Sequence, residues 1–115
     1  MVAAGAVRVR RYGLYWATLD PTQGSEIAKT RPVLVVSPDA MNQRIDTVVV
    51  CPLTSQLHPQ WASRVACDCN GLPAEVAVDQ IRTISKSRLG ALLGKISTTT
   101  AAEVRTVIRQ LYAQD

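Results

Sequence analysis

Arg31 stands at the join between two unlike stretches of chain. Before it lies Leu19-Asp20-Pro21-Thr22-Gln23-Gly24-Ser25-Glu26, dense in polar and turn-forming residues. After it come Pro32 and the apolar run Val33 to Val36, closed by Ser37-Pro38. A polar loop feeding a buried strand presents a charged group from a fixed backbone. The guanidinium is a planar, permanently charged fork that grips phosphate through two donors, so Arg31 reads as a phosphate-handling residue. A second polar cluster, Thr54-Ser55-Gln56, ends another apolar run, and its hydroxyls can donate to the same phosphate.

These residue types suit one reaction. RNA is cut without metal when its own 2′-hydroxyl attacks the adjacent phosphorus. The protein then has to help remove that proton, neutralise charge on the phosphorane and see the leaving 5′-oxygen protonated. A metal-dependent nuclease wants clustered carboxylates, but the nine acidic residues include no Asp-x-Asp or Glu-x-x-Glu pair, which argues against two-metal chemistry. The single histidine, His58, falls in a Pro-containing loop and reads as a loop-packing or surface residue, so no histidine pair is available. Arg31 is a poor general base because its pKa lies above ~12. Glu26 is the candidate proton acceptor, provided its pKa suits. Each feature also has an ordinary reading: an arginine before proline on the surface, Thr54 and Ser55 as strand-end residues, Asp79-Gln80 as a turn.

The elements that must position these groups are mostly short strands. Tyr12 to Leu19 is rich in β-favouring residues and predicts the first strand. Val33 to Val36, bounded by prolines, predicts a strand buried on two faces, and Thr47 to Leu53 predicts another. Pro38 to Ile45 reads as a helical turn or loop, and Leu57 to Ala62 as a long loop. Arg64 to Cys67 predicts a short strand, Asn70-Gly71 a turn, and Glu75 to Ile84 one or two further strands. Ser85 to Leu93 is ambiguous, with Lys95-Ile96-Ser97 expected to close the sheet. Thr100-Ala101-Ala102-Glu103 fits a capping box. Val104, Val107, Ile108 and Leu111 follow as one apolar stripe, with Arg105 and Arg109 on a solvated face.

With 115 residues there is room for one domain, 1–115, whose residues 1–10 read as a flexible basic lead-in. The chain has no Phe, so aliphatic residues must fill the core. A net charge of +4 favours an anionic partner such as nucleic acid. No apolar run approaches the ~18 residues of a membrane span. Cys51, Cys67 and Cys69 are odd in number, and Cys67-Asp68-Cys69 spaces two thiols too closely for an ordinary disulfide. No second Cys/His pair completes a zinc site, so a reduced cytoplasmic protein without metal or cofactor is expected.

Together, several segments resemble the MazF/PemK family of toxin endoribonucleases. They are Gly13-Leu14-Tyr15-Trp16, Leu19 to Glu26, Thr30 to Pro38, Val50-Cys51-Pro52-Leu53-Thr54-Ser55 and Val78 to Ile84. The Asp-Pro-Thr-x-Gly-Ser-Glu and Arg-Pro-x-x-x-x-Ser-Pro patterns carry the resemblance. It implies a mainly β (α+β) fold, an SH3-like small β-barrel with a C-terminal amphipathic helix, and a homodimer. It implies a type II toxin that cuts single-stranded RNA, messenger RNA above all with ribosomal RNA as a further substrate. Cleavage would be sequence-specific and ribosome-independent, leaving 2′,3′-cyclic phosphate and 5′-hydroxyl ends and arresting growth. An acidic MazE-like antitoxin would inhibit it, and operator DNA would be reached only through that complex.

The family's catalytic arginine and threonine fall on Arg31 and Thr54. Its RNA contacts fall on Gly24, Ser25, Glu26, Thr30, Ser55, Gln56, Asp79 and Gln80. The Kid/PemK branch carries histidine where this chain has Ser25 and arginine where it has Ala77, which places the sequence in the MazF-like branch. Two alternatives remain at this level. One is a non-catalytic CcdB-like toxin that binds DNA gyrase, and the other is a nucleic-acid-binding autoregulator without cleavage activity.

Overall fold

A computed structural model describes residues 8–113. Its strands are β1 (Gly13–Thr18), β2 (Thr30–Val35), β3 (Thr47–Thr54), β4 (Arg64–Cys69), β5 (Leu72–Ala77), β6 (Arg82–Ser85) and β7 (Leu89–Lys95). A short helix α1 (Asp39–Asn42) follows β2, and α2 (Thr98–Tyr112) ends the described chain. The strands form one curled antiparallel sheet in the order β4-β5-β3-β2-β1-β7, with β6 paired to β3 off that path. This is the expected mainly β architecture, a half-barrel with one C-terminal helix.

β3 is the hub. One edge pairs with β2 from Val35↔Val50 to Val33↔Pro52. The other edge pairs first with β6, ending at Val50↔Arg82, and then with β5 from Leu53↔Val76. Pro52, which has no N–H to offer a ladder, occupies the gap where the partner changes. The Val-rich runs read continuously because both faces of these strands are buried. Leu34, Cys51 and Leu53 join the core under α2, while Val33, Val35, Val48 and Val50 join a second core on the opposite face.

Local chemistry fixes the connections. Asn70 and Gly71 have φ of 52° and 86°, the positive pair that a two-residue type I′ hairpin demands, so β4 continues to Cys69 and pairs there with Leu72. That hairpin is longer than the short strand ending at Cys67 that its composition suggests. Likewise the ambiguous stretch becomes a 3-10 turn, Lys86–Arg88, and then β7, which closes the sheet against β1 in place of Lys95-Ile96-Ser97 alone.

Three expectations are corrected. The cap of α2 is Ser97, whose Oγ accepts the Thr100 N–H at 3.1 Å; the helix therefore starts before the Thr100 box. Arg105 is not on a solvated face, because its guanidinium donates to the Tyr12 hydroxyl at 3.2 Å. Of the lead-in, residues 1–7 lie outside the described residues, but Arg8 to Arg11 are tied down. Val9 is buried, and the Tyr15 hydroxyl bonds the Arg10 N–H and the Arg8 carbonyl at 3.0 and 3.3 Å. The apolar stripe of α2 buries Ala101 and Val104, whereas Leu111 is 41% exposed. The Tyr112 hydroxyl bonds the Val78 carbonyl at 2.9 Å, anchoring α2 to the turn that carries Asp79 and Gln80.

Leu34→Ala should cost ~2–5 kcal/mol of stability because its site is fully enclosed, whereas Leu111→Ala should stay within ~0.5 kcal/mol. Urea unfolding midpoints of the two variants check this.

Candidate active site

Arg31 and Thr54 come from different strands but reach the same end of the sheet. Continuing the Val33↔Pro52 register outward by two residues sets Thr54 against Arg31. Both, with Thr30 and Ser55, line a cleft of about 350 Å³. Its walls are Trp16 and Leu93 on one side and the β4–β5 hairpin, Cys69 to Ala74, on the other. Trp16 is 40% exposed and so offers a flat apolar face to the cleft. Arg31 is exposed, and its Nε donates to the Ala28 carbonyl at 3.3 Å, leaving the fork of the guanidinium directed by its own loop. The Thr54 Oγ1 accepts the Gln56 N–H at 3.0 Å, which fixes the oxygen and keeps its hydroxyl proton free to donate.

Ser25, Glu26, Asp79 and Gln80 gather elsewhere, around a recess of about 400 Å³ that Ile81 and Arg82 complete. The Gln80 Oε1 accepts the Ile27 N–H at 2.7 Å and its Nε2 donates to the Ser25 carbonyl at 3.4 Å. Within the loop the Glu26 carboxylate accepts the Gln23 N–H, and Gly24 takes a φ of 57° with open space around it. Asp20 Oδ1 accepts the Lys29 N–H at 3.0 Å. Two arginines clamp the loop's start. Arg88 donates to the Thr18 and Asp20 carbonyls at 3.1 and 2.6 Å, and Arg82 to the Leu19 carbonyl at 3.3 Å. Eight of the ten sequence-derived residues thus form two groups, with Thr30, Arg31, Thr54 and Ser55 in one and Ser25, Glu26, Asp79 and Gln80 in the other. Gly24 and Gln56 belong to neither lining; the Gln56 carbonyl accepts from Arg64 at 3.4 Å.

Comparison with known proteins decides the family. The profile described as "PemK-like, MazF-like toxin of type II toxin-antitoxin system" matches residues 10–112. The chain belongs to this family. The toxin is 31% identical over 108 residues to Endoribonuclease MazF of Staphylococcus saprophyticus, covering 87% of this chain and 88% of the relative. It is 36% identical over 86 residues to Endoribonuclease EndoA of Bacillus subtilis, covering 70% and 74%. Among solved structures, MazF from Deinococcus radiodurans superposes with a TM-score of 0.82 at 27% identity, over 94% of this chain and 99% of that one. A mycobacterial endoribonuclease in complex with its cognate antitoxin gives 0.78 at 25% identity, over 93% and 97%.

Arg64 is the residue that reading the sequence missed. Its side chain is only 7% exposed; Nε donates to Asp79 at 2.9 Å, and one terminal nitrogen reaches Glu75 at 3.4 Å. Glu75 is itself buried and also accepts the His58 N–H at 2.9 Å. The guanidinium lies 4.7 Å from the centroid of Trp61, on which His58 stacks at 3.8 Å. One arginine therefore ties the Asp79 turn of the toxin to the loop that carries Gln56 and His58. A glutamate between apolar neighbours in Pro73-Ala74-Glu75-Val76 was the available signal, since a buried carboxylate demands a cationic partner.

All three described thiols are free, and burial pushes two of them far up: Cys51 to about 12, aided by the Asp79 charge, and Cys67 to about 11, aided by Cys69, Asp68 and Glu75. A thiol whose pKa is raised on folding stays neutral in the fold while the unfolded chain ionises near 9.0, so it costs stability as pH climbs from that value toward 12. Iodoacetamide at pH 8 should accordingly leave Cys51 unmodified in the folded toxin and label it once urea unfolds the chain; mass spectrometry of the peptides reads the difference. Arg64→Ala should destabilise the toxin by ~3–5 kcal/mol in urea unfolding by stranding Glu75.

Proposed function

We propose that the toxin is a sequence-specific, metal-independent and ribosome-independent endoribonuclease acting on single-stranded RNA, messenger RNA foremost, in the cytoplasm. The observation that carries this reading is the convergence of Arg31, Thr54 and Ser55 on one cleft of a MazF-family chain. In that cleft the scissile phosphate lies against the Arg31 fork, with the Thr54 hydroxyl donating to a second non-bridging oxygen. The 2′-oxygen attacks phosphorus, its proton passes to water, and the bond to the 5′-oxygen breaks. The leaving oxygen gains a proton from solvent while hydrogen-bonded to Arg31, giving a 2′,3′-cyclic phosphate and a 5′-hydroxyl.

Both donors are aimed at charge that grows in the transition state, which is where such bonds accelerate a reaction. Glu26 lines the other recess, so it serves base reading with Gly24, Ser25, Asp79 and Gln80 and leaves proton removal to water. Thr30 and Ser55 flank the reacting phosphate, and Gln56 contacts the strand beyond the cleft, its N–H holding the Thr54 hydroxyl oxygen. Unstacked bases present their edges to such loops, which makes single strands the fitting substrate. Residues 1–115 act as one domain, the working form is a homodimer, and growth stops when an acidic MazE-like antitoxin no longer covers the cleft. Operator DNA is engaged only through the toxin–antitoxin complex.

Purified toxin incubated with a long single-stranded RNA in EDTA should give discrete fragments with cyclic-phosphate ends. Arg31→Ala and Thr54→Ala should each lower the cleavage rate by ~10²–10³, the cost of removing one charge-stabilising donor. Glu26→Gln should leave the shape of the pH–rate profile unchanged. RNA left intact by the unmodified toxin would overturn the nuclease reading in favour of a toxin that acts by binding.

A further inference from the structure

At the end of β1 remote from the cleft, two arginines converge on one ring. The Arg11 guanidinium lies 5.0 Å from the Tyr12 ring centroid and that of Arg105 lies 5.6 Å from it. Both are oriented: Arg11 Nε donates to the Val36 carbonyl at 3.0 Å, and Arg105 donates to the Tyr12 hydroxyl at 3.2 Å. Neither makes an ion pair among the described residues, where every salt bridge belongs to Arg64. The acid that touches the cluster is Asp39, and its carboxylate accepts the Arg11 backbone N–H at 2.7 Å without meeting either guanidinium. Lys95 adds a third charge, since its Cα pairs with Gly13 in the β1–β7 ladder and its side chain is exposed.

Two oriented guanidiniums on one ring, unneutralised, repel each other. The cation–π attraction of each to the ring offsets only ~0.5–1 kcal/mol at exposed sites. An anion between them removes the repulsion and accepts the N–H groups left over. Tyr12 packs on the same core cluster as Leu93, and Leu93 lines the Arg31 cleft together with Trp16. The two sites therefore lie close along the chain, with the three residues Gly13 to Tyr15 between Tyr12 and Trp16, at most ~13 Å over four steps of ~3.3 Å.

We propose that Arg11 and Arg105, held by Tyr12 and backed by Lys95, bind a backbone phosphate of the single-stranded RNA outside the cleavage sequence. The site rests on the endoribonuclease reading and extends it: contacts at the Gln80 recess select where the strand is cut and Arg31 acts on the phosphate there, while this pair holds the flanking strand without regard to sequence. Phosphate contacts position a nucleic acid and carry no base information. Their signature is salt dependence, because each neutralised phosphate of a single strand adds ~0.7 to the slope of log affinity against log salt.

The test measures binding of a long mixed-sequence single-stranded RNA by Arg31→Ala toxin, which does not consume the RNA, across a range of salt concentrations. Adding Arg11→Gln with Arg105→Gln should lower the salt slope by ~0.7 for each phosphate no longer neutralised and weaken binding roughly tenfold at low salt. Adding Arg11→Lys with Arg105→Lys should recover much of the slope, because the charge returns, and it controls for a folding defect. Arg44→Gln, elsewhere on the surface, should leave the slope unchanged. An unaltered slope in the double glutamine variant would overturn the proposal, as would tighter binding of duplex DNA than of RNA. Light scattering that shows a change of oligomeric state in that variant would also overturn it, assigning the pair to a contact between copies. Failure of the nuclease reading would show separately, as absence of fragments from toxin that retains Arg31.

Discussion

Every part of the site depends on the pairing of β3. It is held along one edge by β2 and along the other by β6 and then β5, so each of its eight residues is paired on at least one edge and Val50 on both. That double constraint places Thr54 relative to Arg31, and it also decides where the β5–β6 turn with Asp79 and Gln80 emerges. A one-residue slip against β2 would send Leu34 to the wrong core and turn Arg31 away from the cleft. The valine-rich filling of the two cores makes such a slip costly on both faces at once. Stiff β-branched side chains thus perform the positioning that a larger enzyme assigns to more layers of structure.

Much of this was legible beforehand, for physical reasons. Val33 to Val36 and Thr47 to Leu53 read as buried strands because a sheet covered on both faces needs no alternation. Asn70-Gly71 read as a turn because few other pairs accept two positive φ values. Arg31 at a loop–strand join and Thr54 at a strand end were visible as polar groups held by apolar runs. Their arrival in one cleft is now a matter of register and no longer of composition.

What escaped was non-local. Nothing near Arg64 in the chain reveals that Glu75 and Asp79 will meet it, and nothing near Arg82 or Arg88 announces that they will grip carbonyls from Thr18 to Asp20. Arg105 looked solvated because helix periodicity sees only its own helix, whereas Tyr12 approaches from more than ninety positions away. The Ser97 cap was missed because two overlapping polar-x-x-polar patterns compete there. Only the path of the chain leaving β7 favours the earlier one.

The Gln80 amide has a consequence for how any ligand enters. Its oxygen accepts from Ile27 and its nitrogen donates to Ser25, so one lone pair and one N–H remain for a ligand. A base edge or an antitoxin side chain that engages this amide meets those two remaining positions, whose directions the loop has already set. The net return from each is small, ~0.5–1.5 kcal/mol, and it vanishes for a partner of imperfect geometry. Such a position discriminates between ligands far more than it attracts them. The same amide holds residues 25–27, so any shift of that segment re-aims what the recess offers.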